Sequence, residues 1–308
     1  MATPDHPIDK NTRYLFLINP NAGTSRVSRK KDLVAQVSRH LNATTVISES
    51  ESHASRTAKD AFLAGDVVVA CGGDGLHNLV AQQAVETGGV MSVLPIGRGN
   101  DFAASLQIRT AQDTEMALRH GTIHNARYVK ARFADYSRIS LTCAGVGLLS
   151  EAAFRASKLP VIQGRLLYTV AALISLMKLK CHRYTVSLDG STQREKMLIF
   201  IGAASEYTGG GIHIAPSARS DPGKLNVLFA TSVGKIEAVS LLVKALAGRH
   251  LGHPKVHNTY HDRCRLSCEA DDFWASLVYG DGEYLGVLPV SFEIGHAPLR
   301  VLVPTAMS

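Results

Sequence analysis

At 308 residues and 45% hydrophobic composition, the chain is long enough to bury the cores of two domains. Its formal charge of +7 comes from scattered basic residues, which suits an anionic membrane surface or an anionic substrate. Nucleic acid is excluded as the partner, because no basic strip interleaved with aromatics appears, and five irregularly spaced cysteines exclude a disulfide framework.

The polar N-terminus, with Asp5, Asp9 and Lys10, lacks the apolar core of a signal peptide, and residues 1–12 read as a loose tail. A first strand over 14–18 ends in Asn19-Pro20-Asn21-Ala22-Gly23, a small glycine-bearing loop. It leads into a helix over 25–41, where the basic cluster Arg26 to Lys31 reads as a solvated face. A strand over 44–48, a polar loop and an alanine-rich helix from His53 follow. Val67 to Ala70 is an apolar, β-branched run that suits a strand buried on both faces of a parallel sheet. Next come Gly72-Gly73-Asp74-Gly75, then a helical apolar pattern resuming at Leu79. The fifth cycle is a strand over 90–94, the loop Pro95-Ile96-Gly97-Arg98-Gly99-Asn100-Asp101, a short helix over 102–106 and a helix over 111–120.

This alternation implies a parallel sheet with helices on both faces, and ligands of such sheets sit outside the carboxyl ends of the strands. The loops at 19–23, 72–78 and 95–101 all belong to that edge. A strand ending in glycines and turning into a helix presents bare N–H groups and the positive end of the helix dipole, which suits phosphate. The lone carboxylate of Asp74 would repel phosphate unless a cation lay between them, so it points to a metal–nucleotide complex. A tight turn without ligand also accounts for the stretch taken alone.

After residue 121 the pattern changes to short alternating strands over 127–133, 137–144, 184–189, 196–203, 224–230 and 289–294, which suggests an antiparallel sandwich or barrel. Two helices interrupt it, a strongly apolar one over 164–180 and an amphipathic one over 235–247. The longest apolar run, Leu166 to Met177, falls well short of the ~20 residues needed to span a bilayer. Gly209-Gly210-Gly211 enters a strand, as a bulge or as a place where a ligand approaches backbone. Asp281-Gly282-Glu283, between strand-like 274–279 and 289–294, reads locally as a hairpin turn.

Taken in order, the motifs resemble the diacylglycerol-kinase catalytic family, which includes bacterial lipid kinases and the sphingosine and ceramide kinases. They are Asn19-Pro20-x-Ala22-Gly23, Gly72-Gly73-Asp74-Gly75-x-x-Asn78, Leu94-Pro95-x-Gly97-x-x-Asn100-Asp101-Phe102, Gly209-Gly210-Gly211 with Ala215-Pro216, and Asp281-Gly282-Glu283. The likeness runs from about residue 13 to 303. It implies an α/β nucleotide-binding domain with a parallel sheet, similar to the soluble NAD kinases, over 13–121. A C-terminal antiparallel β-sandwich for the lipid acceptor follows over 122–303, with the last strand free to pack back on the first domain and the active site in the cleft between them. The implied activity is phosphorylation of a lipid hydroxyl, of the diacylglycerol, sphingoid or ceramide type, with ATP and Mg2+ as cofactors. In that reading Asn19, Pro20, Asn21, Ala22, Gly23, Gly72, Gly73, Asp74, Gly75, Leu76, His77, Asn78, Gly97, Arg98, Asn100 and Asp101 hold the nucleotide. Ser48 falls near a nucleotide-contacting position, and Asp74 engages the phosphates through magnesium. Asp281 and Glu283 match the acidic pair that supplies the general base, which overrides the bare-turn reading. The 166–177 helix would help line the acyl-chain cleft. The polar N-terminus and the short apolar run lead to the expectation of a soluble, cytoplasmic protein in peripheral contact with a membrane, and a homodimer with a second copy of the chain is left open.

Three departures from the family pattern stand out. Leu76 replaces a usual threonine, Arg98 replaces another and offers phosphate-binding donors in compensation, and Pro222 stands where relatives hold a structural magnesium with an acid. Asp221 is the nearest carboxylate to that position. A kinase for a soluble acceptor, or a non-catalytic nucleotide- or lipid-binding homologue, remain the alternatives.

Overall fold

The computed structural model describes residues 11–158, 164–177, 180–221, 223–269 and 273–305; tail residues 1–10 and Pro222 lie outside them. The chain forms two units, residues 1–126 with 296–308 and residues 127–295.

In the first unit, strand and helix alternate as β1 (Arg13–Ile18), α1 (Val27–Val37), β2 (Asn42–Ile47), α2 (Glu51–Leu63), β3 (Val67–Gly72), α3 (Asp74–Thr87), β4 (Val90–Pro95), α4 (Asp101–Ser105), α5 (Ala111–His120) and β5 (Thr122–Ala126). The sheet order is β2-β1-β3-β4, all parallel, followed by the returning strand near the C-terminus and then β5. Every residue of β3 is buried, as its unbroken apolar run requires of a central parallel strand. Local signals set the helix starts: Ser50 accepts from the His53 N–H at 3.1 Å, and Thr110 with Asp113 forms a capping box ahead of α5. Phe16, Ile18, Val34, Val69, Leu94 and Leu302 belong to the core between sheet and helices.

The second unit runs β6 (Val129–Arg132), β7 (Ser137–Ser140), β8 (Cys143–Gly147), α6 (Leu148–Ser157), α7 (Gly164–Met177), β9 (His182–Leu188), β10 (Ser191–Ala203), β11 (Leu225–Thr231), α8 (Lys235–Leu246), β12 (Val256–His261), β13 (Arg263–Cys268), α9 (Phe273–Ser276), β14 (Leu277–Gly280), β15 (Glu283–Val287) and β16 (Val290–Ile294). All described pairings within it are antiparallel. The long β10 organises them: its first half pairs with β9 and its second half with β8 on one side and β11 on the other. Tyr184, Phe200, Val227, Phe229, Val278 and Phe292 share the sandwich core. A second core of Ala152, Ala172, Leu176, Leu198, Leu241 and Leu242 packs α6, α7 and α8 against the sheet.

The final strand, β17 (Leu299–Val303), returns to the first unit and pairs parallel to β4 and antiparallel to β5. The unit boundary therefore falls after Ala126, five residues beyond the boundary expected from the change of pattern, because 122–126 is recruited as the partner of β17. Two local expectations also change. Gly209, Gly210 and Gly211 all have positive φ and form a tight loop bridged by Thr208 and Ile212, with no strand following. Phe273–Ser276 is a helical turn ahead of β14, where a strand was expected from Trp274.

Candidate active site

At the carboxyl edge of the first sheet, backbone hydrogen bonds set the ends of β1, β2, β3 and β4 at one level. Asn19 N donates to Cys71 O (3.1 Å), Ser48 N to Ile18 O (2.8 Å) and Ile96 N to Gly72 O (2.9 Å). The three glycine loops that follow touch one another. A Cβ on Gly97 would lie 2.2 Å from the Gly73 Cα, and one on Gly23, at φ +59°, would lie 2.4 Å from the Ile96 carbonyl oxygen. Only glycine allows backbones to approach this closely. Asn100, itself in the left-handed region, locks the third loop: its Oδ1 accepts from Gly97 N (3.0 Å) and its Nδ2 donates to Gly97 O (3.1 Å). Asn19 bends the first loop by accepting from Asn21 N at 2.8 Å.

Helix α3 starts at Asp74 with no side-chain cap, so its N-terminal N–H groups and dipole face this edge. The Asp74 side chain is only 15% exposed and accepts from Phe102 N at 3.2 Å. Burial pushes its pKa up, while the N–H groups of Phe102, Asp101 and Asn100 pull the other way. A largely desolvated carboxylate at this edge offers a hard oxygen ligand to a cation. The residues present therefore fit a magnesium ion carried on nucleotide phosphates.

The other residues expected here divide by orientation. Pro20, Gly23, Gly75, Asn78 and Gly97 are half-buried in or beside the loops, Asn21 and Arg98 are exposed, and Ala22 and Asp101 are buried. Leu76 is buried against Gly72, whose missing side chain leaves it room, and His77 is buried beside Phe102 with ring centroids 6.5 Å apart. Both side chains point into the fold, so the hydroxyl expected at position 76 would stand under the loop and not over it. Ser48 is likewise buried, its hydroxyl donating to Ile18 O at 3.1 Å, which ties the strand ends together.

Sequence reasoning missed one residue of this edge. Lys30, read as part of a solvated basic face, is 2% exposed and donates through Nζ to Pro20 O (2.5 Å) and Asn19 O (3.5 Å). Burial lowers its pKa. The signal was available: Val27, Lys30, Val34 and Val37 fall at helical spacing on one face. The lysine belongs to the apolar stripe and clamps the first loop from below.

In the second unit, Asp281 and Gly282 both have positive φ (54° and 81°), and Gly280 pairs with Glu283. The stretch is a two-residue hairpin turn between β14 and β15, as the local reading had it, and it also aims a carboxylate. Asp281 accepts from Leu141 N (2.5 Å), Thr142 N (2.9 Å) and the Thr142 hydroxyl (2.7 Å). Thr142 in turn lies 3.2 Å from the Thr208 hydroxyl. Three donors fix the Asp281 carboxylate in the β7–β8 turn. Glu283, two residues on, is exposed at the start of β15.

This turn closes one end of an apolar pocket of about 640 Å³, its open mouth included. Leu149 and Ala153 of α6, Ala172 of α7, Leu242 of α8 and Ile199 of β10 line the greasy part, while Thr208, Gly209 and Asp281 line the polar end. Such a pocket, apolar with a few convergent polar groups at one end, takes an apolar ligand by a polar head. The glycine triplet meets it through Gly209. Sequence reasoning could not find Thr142 or Thr208, since their partnership joins positions 66 and 139 residues apart.

The loop around Asp221 does not fit a metal. The guanidinium of Arg127 occupies its carbonyl groups, donating to Ala218 O (2.8 Å) and Lys224 O (2.6 Å). Asp221 folds onto its own loop, accepting from Gly223 N at 3.2 Å. Among the described residues no group of three or more His, Cys, Asp or Glu side chains converges as a metal site.

Residues 13–131 match the diacylglycerol kinase catalytic domain, and residues 142–303 match the YegS C-terminal NAD kinase beta sandwich-like domain. The chain is 26% identical over 307 residues to the diacylglycerol kinase of Bacillus subtilis (strain 168), covering 95% of this chain and 96% of that protein. It is 26% identical over 251 residues to the diacylglycerol kinase of Mycobacterium tuberculosis (strain H37Rv), covering 78% and 77%. A crystal structure of a diacylglycerol kinase from Bacillus anthracis str. Sterne superposes with a TM-score of 0.71 over 96% of this chain and 98% of that one, at 14% identity, a likeness of fold.

Proposed function

The chain belongs to the diacylglycerol kinase catalytic family of lipid kinases, and from that premise we propose that it transfers the γ-phosphoryl group of ATP to the hydroxyl of a diacylglycerol. A sphingoid or ceramide-type lipid is the neighbouring acceptor class. The observation that carries the reading is the apolar pocket with a fixed carboxylate, Asp281, at its one polar end and the exposed Glu283 beside it. A soluble acceptor gains nothing from such a lining, so the lipid reading is preferred over a soluble-acceptor kinase.

In this reading the backbone N–H groups of the loop at 72–75 and of Arg98 and Gly99, with the α3 N-terminus, hold the nucleotide phosphates, and the exposed Arg98 side chain adds a charge-assisted donor. A magnesium ion held on the nucleotide through Asp74 would neutralise charge on the group being transferred. Glu283 takes the proton of the acceptor hydroxyl as the new O–P bond forms and the bond to the departing ADP breaks. Asp281 orients the turn that carries Glu283 and is a positioning residue. The protein does this work in the cytoplasm at a membrane surface; no described helix is long and apolar enough to cross a membrane.

Turnover of diacylglycerol in detergent mixed micelles, with native protein and Glu283→Gln, tests the proposal. Loss of a general base costs about 10²–10⁴-fold in kcat, so the variant is expected to fall by that much with an unchanged KM for ATP. A Glu283→Gln protein that turns over at the native rate would remove Glu283 from the mechanism, and label appearing only on a soluble acceptor would overturn the lipid reading.

A further inference from the structure

Helices α7 and α8 each bury one apolar stripe and expose a second. On α7, Ala171, Ala172 and Leu176 are buried in the helix–sheet core, yet Leu166 is 63% exposed and Leu173 and Ile174 are each more than a third exposed. On α8, Ala238, Leu241 and Leu242 are buried, while Ile236 is 89% and Val243 60% exposed and Val239 joins them. Between the two outer stripes runs an apolar groove of about 790 Å³, counting its open side, lined by Val170, Leu173, Ile174, Leu176, Lys235 and Val239. Contiguous exposed apolar surface of this kind on a water-facing fold marks an interaction site.

The charge around it identifies what it meets. α7 carries no acidic residue at all. The one acid of α8, Glu237, is half-buried and held by Lys255 (2.8 Å) and His253 (3.4 Å). Exposed charges on α8 and at the ends of both helices are basic: Lys235 and Lys244 on α8, Lys180 after α7 and Arg249 after α8. An apolar face rimmed by lysine and arginine is the signature of a helix lying in a lipid–water interface, where basic residues are drawn to an anionic surface. At 14 and 12 residues, α7 and α8 are too short to span a bilayer and the right size to lie in its plane.

The same helices wall the acceptor pocket. Ala172 of α7 and Leu242 of α8 line its apolar part from inside, and their neighbours Leu173 and Val243 face outward. An acyl chain leaving a leaflet at this face would stay in apolar surroundings along the way in.

We propose that the outer face of α7 and α8 is the surface on which the protein seats itself on an anionic lipid leaflet, lying in the interface without crossing it. The proposal rests on the lipid-kinase reading and adds to it the face that docks. Its test is sedimentation of the full chain with vesicles of phosphatidylcholine alone or containing about one-third phosphatidylglycerol. Native protein is compared with Ile236→Glu/Val243→Glu and with Lys235→Ser/Lys244→Ser, after thermal melts of all three. Turnover of a short-chain diacylglycerol below its micelle concentration is measured alongside.

The expected result is that native protein binds the anionic vesicles and the Glu double variant binds at least roughly tenfold less. The Ser double variant loses the preference for phosphatidylglycerol, and both variants turn over the monomeric lipid at the native rate. Equal vesicle binding by native protein and both variants would overturn the docking surface. So would a native dimer that the Glu variant dissociates without change in vesicle binding, since a second copy would then cover the face. Failure of native protein to phosphorylate the monomeric lipid would instead sink the lipid-kinase reading, and is distinguishable because it does not depend on vesicles.

Discussion

Replacing Asp281 by Asn should weaken the fold of the second unit, whereas replacing Glu283 by Gln should not. Asn tolerates the left-handed backbone at position 281, so the turn itself survives. Its amide oxygen can still accept from Thr142, but its NH2 group then faces the N–H of Leu141, which the carboxylate now satisfies at 2.5 Å. A buried donor left without an acceptor costs about 1–3 kcal/mol, and exchanging charge-assisted for neutral bonds at Thr142 adds about 1 kcal/mol. The expected loss is about 2–4 kcal/mol. For a unit of this size 1 kcal/mol moves Tm by about 2–4 °C, so the melt should fall by roughly 5–15 °C. The exposed Glu283 side chain should change stability by no more than about 0.5 kcal/mol when made Gln. Urea unfolding and calorimetry of both variants measure this, with lipid turnover recorded on the same samples. An Asp281→Asn protein as stable as native but inactive would refute the reasoning, because Asp281 would then be the proton acceptor and its hydrogen bonds incidental.

Other predictions bear on the first unit and on the Arg127 loop. The folded-state pKa of Asp74 is raised by burial above its ordinary 3.8, so its ionisation costs stability as pH rises through and beyond that value, and the cost is complete above the folded pKa. Asp74→Asn should accordingly raise the Tm of nucleotide-free protein at pH 7 by a few degrees while abolishing turnover; a lower Tm would contradict the desolvation account. Lys30→Met, which keeps the stem but removes the clamp on Pro20 O and Asn19 O, should raise the KM for ATP about tenfold and leave the KM for lipid alone. Because a guanidinium holds the carbonyls of Ala218 and Lys224, prolonged dialysis against EDTA should leave the melt of nucleotide-free protein unmoved. Arg127→Met should lower stability by about 2–3 kcal/mol; a chelator-sensitive melt would place a metal in that loop after all.

How much of this was legible in the sequence depended on whether the cause was local. The parallel βα rhythm and the loop glycines are local features, and they sufficed to place three loops on one sheet edge. The close approach of Gly97 to Gly73 is the physical reason those glycines are there. Asp281-Gly282 illustrates how a local reading can be right and incomplete: it is a hairpin turn, and the turn is what aims the carboxylate at residues 139 and 140 positions away. Helix α6 escaped notice because its alanines give little periodic contrast within a strand-rich stretch. β12 and β13 are rich in polar and charged residues, so their alternation resembles loop. Lys30 was misassigned by charge although its spacing put it on the buried face. Leu76 looked like a missing phosphate ligand until its packing against Gly72 showed that the position faces inward.

In the proposed reaction a phosphoryl group travels from ATP to a lipid hydroxyl held in the apolar pocket of the second unit. The most direct measurement is transfer of label from γ-labelled ATP in the presence of both diacylglycerol and a mixture of soluble alcohols, followed by phase partition. Label is expected in the organic phase as a phosphorylated lipid, dependent on Glu283. Label confined to the aqueous phase, or organic label that persists undiminished in Glu283→Gln, would contradict it.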